Sequence, residues 1–232
     1  MNKLRPMGAG WRPLVEAALV ALAAQGLGVE RVFPDAQRRA MGVAALGKLL
    51  DLVATWNARV DLTAARDERE LVDLYLADAL VLGAQTLPGI SDAGATWVDV
   101  GSGAGAPGLV LQLLRRDLQL TLVEPLTKRV AFLRTAHGSL GLGQMRIEHA
   151  RSDALPAAIC DLAVSRATFS PDEWLAEGGR LARRVVWVLL ARGDAPARSG
   201  WRLSHQVDYS WPLTGVSRRA LAFEREPPPP KN

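Results

Sequence analysis

Apolar residues recur at helical spacing through the first third of the chain, then fall into short strand-like runs separated by turn residues. The spacing predicts helices over 11–26, over 35–58 (Met41, Ala45, Leu46, Leu49, Leu52, Val53, Trp56) and over about 68–82. Asp35 and Asp67 stand where N-caps belong. Residues 1–10 read as loose, and LPGISDAGA at 87–95 reads as a join. Beyond it strands at 96–100, 119–124, 145–150, 162–167 and 184–192 alternate with helices at 107–116, 126–141 and 171 to about 183. Ser170 and Pro171 open the last of these helices. WRLSHQVDYSW and VSRRALAFERE close the pattern as a pair of strands. Such alternation predicts an α/β, Rossmann-like fold with a mostly parallel sheet. The expected division is a helical extension at 1–90, a sheet domain at 91–226 and a disordered tail at 227–232.

Composition narrows the class. A chain of 232 residues that is 49% hydrophobic and 22% charged reads as an ordinary globular protein with room for a large core. The single cysteine, Cys160, excludes an internal disulfide framework and points to a reducing, cytoplasmic setting. Its neighbours, AAICDLAV, read as core. The basic, apolar N-terminus has the look of a signal peptide, but Glu16 interrupts the run and the segment reads as an amphipathic helix. No metal site is expected from the scattered histidines, and no membrane span from the apolar runs. A net charge of +4 favours an anionic partner such as RNA without demonstrating one.

The candidate chemistry lies in WVDVGSGAGAPG, 97–108. An apolar run carrying Asp99 breaks into a loop with Gly101, Ser102, Gly103, Gly105 and Gly108, followed directly by a helical pattern. Strand, glycine loop and helix N-terminus in succession build a nucleotide-type site. Pro107 suits the first helical turn. Glu124 ends the next strand, where a carboxylate accepts hydrogen bonds from both hydroxyls of a ribose; a solvated strand end is the plain alternative. Both dinucleotides and S-adenosyl-L-methionine carry such a ribose. Ser152 and Asp153 follow the third strand, within expected reach of an adenine amine, although an acid there is also ordinary turn chemistry. Ser165-Arg166-Ala167 ends the fourth strand, and a guanidinium aimed into that crevice calls for an anionic or π-faced partner, either a nucleic acid or the Glu124 or Asp99 carboxylate.

These segments together resemble the GidB (RsmG) family of bacterial methyltransferases that modify a guanine N7 in 16S, small-subunit ribosomal RNA. The resemblance covers roughly 35–225 and rests on WNARVDLTAARDERELV, VDVGSGAGAPGLVL, Glu124 with Lys128-Arg129 and 132–134, and SRA at 165–167. It implies a class I methyltransferase fold with a seven-stranded sheet, S-adenosyl-L-methionine as cofactor, and a small-subunit RNA or particle as partner of a monomer. It also implies cofactor contacts from Asp99, Gly101, Ser102, Gly103, Gly105, Gly108, Glu124, Ser152, Asp153 and Arg166. Ser165, Arg166 and Arg192 are implied as catalytic or base-positioning, with Arg192 and Lys128-Arg129 toward the RNA backbone. Several positions depart from the family pattern, among them Glu124, one methylene longer than the family's aspartate after the second strand. Tyr75 stands for a histidine, Ala79 for the serine of Asp-Ser, and Ala191-Arg192-Gly193 for Leu-Lys-Gly. The turn EGGR at 177–180 fits the family only if it ends the preceding helix. A same-fold enzyme acting on another RNA or a small molecule, and a degenerate RNA-binding paralogue, are the competing readings.

Overall fold

The computed structural model describes residues 4–85 and 94–227. The join expected at 87–95 and the tail at 227–232 lie almost wholly outside these residues. Seven helices are described: α1 (Trp11–Ala24), α2 (Val29–Val32), α3 (Ala36–Asn57), α4 (Glu68–Ala84), α5 (Gly108–Leu114), α6 (Thr127–Leu140) and α7 (Pro171–Leu181). Strands β1 (Thr96–Val100), β2 (Gln119–Val123), β3 (Arg146–Glu148), β4 (Cys160–Ser165), β5 (Ala182–Leu190), β6 (Trp201–Ser210) and β7 (Ser217–Arg225) form one sheet. Its order is β3-β2-β1-β4-β5-β7-β6, with β1 to β5 parallel and β7 antiparallel to both neighbours. The chain leaves β1 for β2 on one side and returns to β4 on the other, so a crevice opens beyond the C-terminal ends of β1 and β4.

The local signals explain the elements. Asp35 and Asp67 accept from the Arg38 and Glu70 amides at 2.7 and 2.9 Å, capping α3 and α4. Ser170 and Glu173 form a capping box ahead of Pro171 on α7. EGGR does end α7, as the family spacing requires. Alternation along β1 sends Trp97 and Asp99 to one face, toward α5, and Val98 and Val100 to the other. The first face is covered by α1 and α3 to α6 in one continuous apolar cluster, so the N-terminal helices share the sheet's core rather than building their own. The second face packs on α7, and buried Cys160 belongs to it, its thiol pushed up to about 12 by burial.

Two expectations need correction. Residues 4–10 are not loose: Leu4 is buried, Gly8–Gly10 form a 3-10 turn, and Asp51 accepts from the Met7 and Gly8 amides and from the Trp11 indole N–H. A single carboxylate on α3 therefore fastens the start of the chain, a contact 40 or more residues away in sequence that periodicity does not report. Pro107 is the N-cap of α5 rather than its first helical residue, with right-handed helical dihedrals and its carbonyl accepting from the Leu111 amide at 2.8 Å. Glu16, which interrupts the apolar run of α1, pairs with Arg39 at 2.6 Å on the half-buried rim between α1 and α3. No helix among the described residues is long and apolar enough to cross a membrane.

Candidate functional site

The glycine loop is fastened on every side by groups that the fold delivers to one sheet edge. Gly101 and Ser102 amides donate to the Val123 carbonyl at the end of β2, at 2.9 and 3.2 Å. The Ser102 hydroxyl donates to the Asp99 carbonyl at 2.7 Å. Gly101, Gly103 and Gly105 have φ of 68°, 56° and 85°. At Gly103 a side chain would project into open crevice, with no atom nearer than the Gly101 carbonyl at 3.7 Å and the Arg129 guanidinium at 4.0 Å. A backbone that turns left-handed and leaves its outer side clear is the cradle a nucleoside needs. Gly108 does something different. A Cβ there would stand 2.3 Å from Leu122 and 2.5 Å from the Asp99 carboxylate, so this glycine lets α5 sit down on β1 and β2.

Glu124 follows β2 and is buried, 2% exposed, with its carboxylate at the loop. One oxygen accepts from the Gly103 amide at 2.8 Å and the other from the Leu126 amide at 2.9 Å. The solvated strand end is therefore ruled out. Each oxygen retains a lone pair, so ribose hydroxyls can be accepted beside the amides already bound.

Asp99 is not part of the crevice wall. Its carboxylate lies under α5, accepting from the Gly108 amide at 3.1 Å, and burial pushes it up to about 7 despite the Arg166 charge. Because the unfolded chain holds this carboxyl near the ordinary Asp value of about 4, the folded state binds more protons between the two values. Stability carried by Asp99 must fall as pH rises from about 4 to about 7 and level off above. Carboxylates held low, such as Asp161 beside Thr96 and Arg183, contribute the opposite slope. The expected result is a difference: in urea unfolding, Asp99→Asn gains stability relative to the parent as pH is raised from 5 to 8, and equal gaps at both pH values would refute it.

The SRA segment at the end of β4 departs from expectation. The Ser165 hydroxyl donates to the Val100 carbonyl at 2.8 Å and is buried, so it bridges β4 to β1 and faces no substrate. Arg166 neither reaches outward for a ligand nor pairs with Glu124 or Asp99. Its guanidinium donates to the Leu74 carbonyl at 2.5 Å and to Asp78 at 3.2 Å, both on α4. Asp78 also accepts from the Tyr209 hydroxyl at 2.6 Å. Sequence reasoning missed this network because it joins residues 88 and 131 positions apart.

Helix α4 supplies two further ties. The Tyr75 hydroxyl, fully buried, donates to the Ala104 carbonyl of the glycine loop at 2.6 Å. Asp73 accepts from the Leu213 and Thr214 amides and the Thr214 hydroxyl, holding the turn between β6 and β7. Three polar side chains of one buried helix thus grip three loops at the sheet edge. Their signal in the sequence is Asp73, Tyr75 and Asp78 inside the otherwise apolar run 71–84, since buried polar groups require partners.

The remaining expected residues lie apart. Ser152 and Asp153 form a 3-10 turn after β3, in which the Ser152 carbonyl is held by Arg180 at 2.7 Å and Asp153 pairs with Arg151 on the surface. Arg192 is exposed just past β5, two strands from β1. Lys128 is exposed on the first turn of α6, while Arg129 leans toward Gly103.

A family model described as rRNA small subunit methyltransferase G (GidB) matches residues 43–204. A ribosomal RNA small subunit methyltransferase G from Anaeromyxobacter dehalogenans (strain 2CP-C) is 37% identical over 226 residues, covering 91% of this chain and 100% of that protein. A protein of the same name from Myxococcus xanthus (strain DK1622) is 33% identical over 211 residues, 81% of this chain and 94% of that one. A SAM dependent methyltransferase of known structure from Aquifex aeolicus, 18% identical, superposes over 67% of this chain and 92% of that one with a TM-score of 0.48. With the glycine loop, the β2 acid and the strand order all in place, the chain belongs to the GidB family.

Proposed function

We propose that this protein methylates guanine N7 in the 16S RNA of the small ribosomal subunit, in the cytoplasm, using S-adenosyl-L-methionine. The observation that carries the reading is the Glu124 carboxylate, buried at the end of β2 and bonded to the Gly103 amide, in a chain of this family. The residues present fit the cofactor. Glu124 takes the ribose hydroxyls, and the open side of Gly103 lets the nucleoside approach the backbone. Asp153, in the turn after β3, is the residue placed to meet the adenine in this reading. When bound, the cofactor supplies an electrophilic sulfonium methyl.

The protein's task is then positioning and charge control. Guanine N7 offers an in-plane lone pair and carries no proton, so no general base is needed. In agreement, Asp99 is turned under α5 and Glu124 is engaged by two amides. Methylation leaves positive charge on the base, and an isolated arginine beside it would oppose the reaction. Pairing Arg166 with Asp78 offsets that charge, and its bonds to α4 make it a brace for the end of β4 rather than a group that touches the acceptor. Tyr75, which departs from the family histidine, spends its hydroxyl on the loop carbonyl and so does not favour a different acceptor.

The test is methyl transfer to small-subunit particles from a strain lacking this enzyme, with the product mapped by chain cleavage at 7-methylguanine. The expected result is one methyl on one small-subunit guanine. Label on transfer RNA, on a small molecule or nowhere overturns the reading.

A further inference from the structure

We infer that the cavity of about 610 Å³ at the ends of β5 and β6 and the start of β7 seats a backbone phosphate of the same RNA strand, held by Arg192, Arg218 and Arg219. This rests on the function proposed above and adds a second grip on the substrate. The cavity opens on the same sheet edge as the glycine loop, because β5 runs with β1 while β7 begins, and β6 ends, at that edge. Two strand intervals separate β4 from β7, about 10 Å, which places the cavity beside the acceptor crevice.

The cationic side chains are poised rather than spent. Among the described residues none of the three takes part in an ion pair. Arg192 is exposed and has no hydrogen-bond partner among them. Arg218 lies over the Trp211 ring, 4.1 Å from its centroid, which fixes the guanidinium while leaving most of its N–H groups free. Arg219 is steadied by the Gly193 carbonyl. The cavity's one acid, Asp208, accepts from the Gln206 amide at 2.7 Å. The far wall is braced by Gln25, at the end of α1, whose amide group makes two bonds to the Ser210 backbone. A rigid wall carrying several arginine forks is suited to a phosphodiester, which accepts bidentate hydrogen bonds and neutralises the crowding of like charge. The N-terminal helix and the last hairpin thereby form one side of the RNA path.

Filter binding of protein-free small-subunit RNA, measured at several salt concentrations, tests the inference with the full chain. Arg218→Gln is expected to weaken binding about tenfold. It should also reduce the slope of log affinity against log salt by about one. Calorimetric affinity for S-adenosyl-L-methionine should stay at the parent value, which also reports that the variant folds. Asp208→Asn is expected to bind the RNA about threefold more tightly, a gain that misfolding cannot produce. An unchanged salt slope in Arg218→Gln, or no gain in Asp208→Asn, overturns the phosphate site alone. Loss of methylation only on assembled subunits, with protein-free RNA bound as before, would assign the cavity to a ribosomal protein and equally overturn it. Failure of the parent protein to bind or methylate small-subunit RNA overturns the function and this inference together.

Discussion

Replacing Glu124 with alanine is expected to cost about a hundredfold or more in affinity for S-adenosyl-L-methionine. A hydrogen bond to a charged group contributes about 1.5–3 kcal/mol, and two ribose hydroxyls would both lose their acceptor. The loop suffers as well, since the Gly103 and Leu126 amides lose theirs. The carboxylate thus fastens the loop as well as serving as the proposed ribose ligand, and the two roles can be separated. Glu124→Gln keeps an acceptor for one amide but removes the charge, so an intermediate loss of about tenfold is expected. Titration calorimetry of the three proteins decides the matter. An alanine variant that binds the donor as tightly as the parent would remove the basis of the proposed function.

The second large effect is on stability. Asp78→Ala leaves the Tyr209 hydroxyl without an acceptor and the Arg166 guanidinium without its counter-charge. Asp78 is almost wholly buried and Arg166 is 21% exposed at the side chain, so part of the orphaned charge remains in water. Removing one partner from a fully buried pair costs about 3–5 kcal/mol, and the partial exposure puts this case near 3. For a chain of this length that lowers the melting midpoint by about 6–12 °C. Asp78→Asn keeps the acceptor for Tyr209 and should fall roughly halfway between. Differential scanning calorimetry on the purified variants measures this directly, and an alanine variant melting within a degree or two of the parent would show that the network carries little.

The two predictions differ in how far the sequence could have reached them. Glu124 was legible because strand, glycine loop, helix and a second strand ending in an acid lie within 28 residues, 97–124, and short connections leave few ways to fold such a stretch. Asp78 was not. On its own it reads as an acid in a helix, and its partners Arg166 and Tyr209 meet it only because β4 and β6 end over the middle of α4. Ser165 shows the same divide. Its place at the end of β4 was readable, yet the pairing of β4 with β1 directs its hydroxyl into the sheet, where Val100 takes it.

Local chain chemistry therefore settled the elements: the caps at Asp35, Asp67 and Ser170, the alternation that turns Trp97 and Asp99 toward the helices, and the order in which strands and helices follow one another. These depend on interactions among neighbours a few residues apart, which leave a periodic trace. What tertiary structure alone decided is the work of each polar group at the sheet edge. Packing brought α4 under three loops, withdrew Asp99 and Ser165 into the interior, and gathered Arg192, Arg218 and Arg219 around one cavity. A buried polar atom takes whichever partner the surrounding elements deliver, and that delivery is a property of the packed whole.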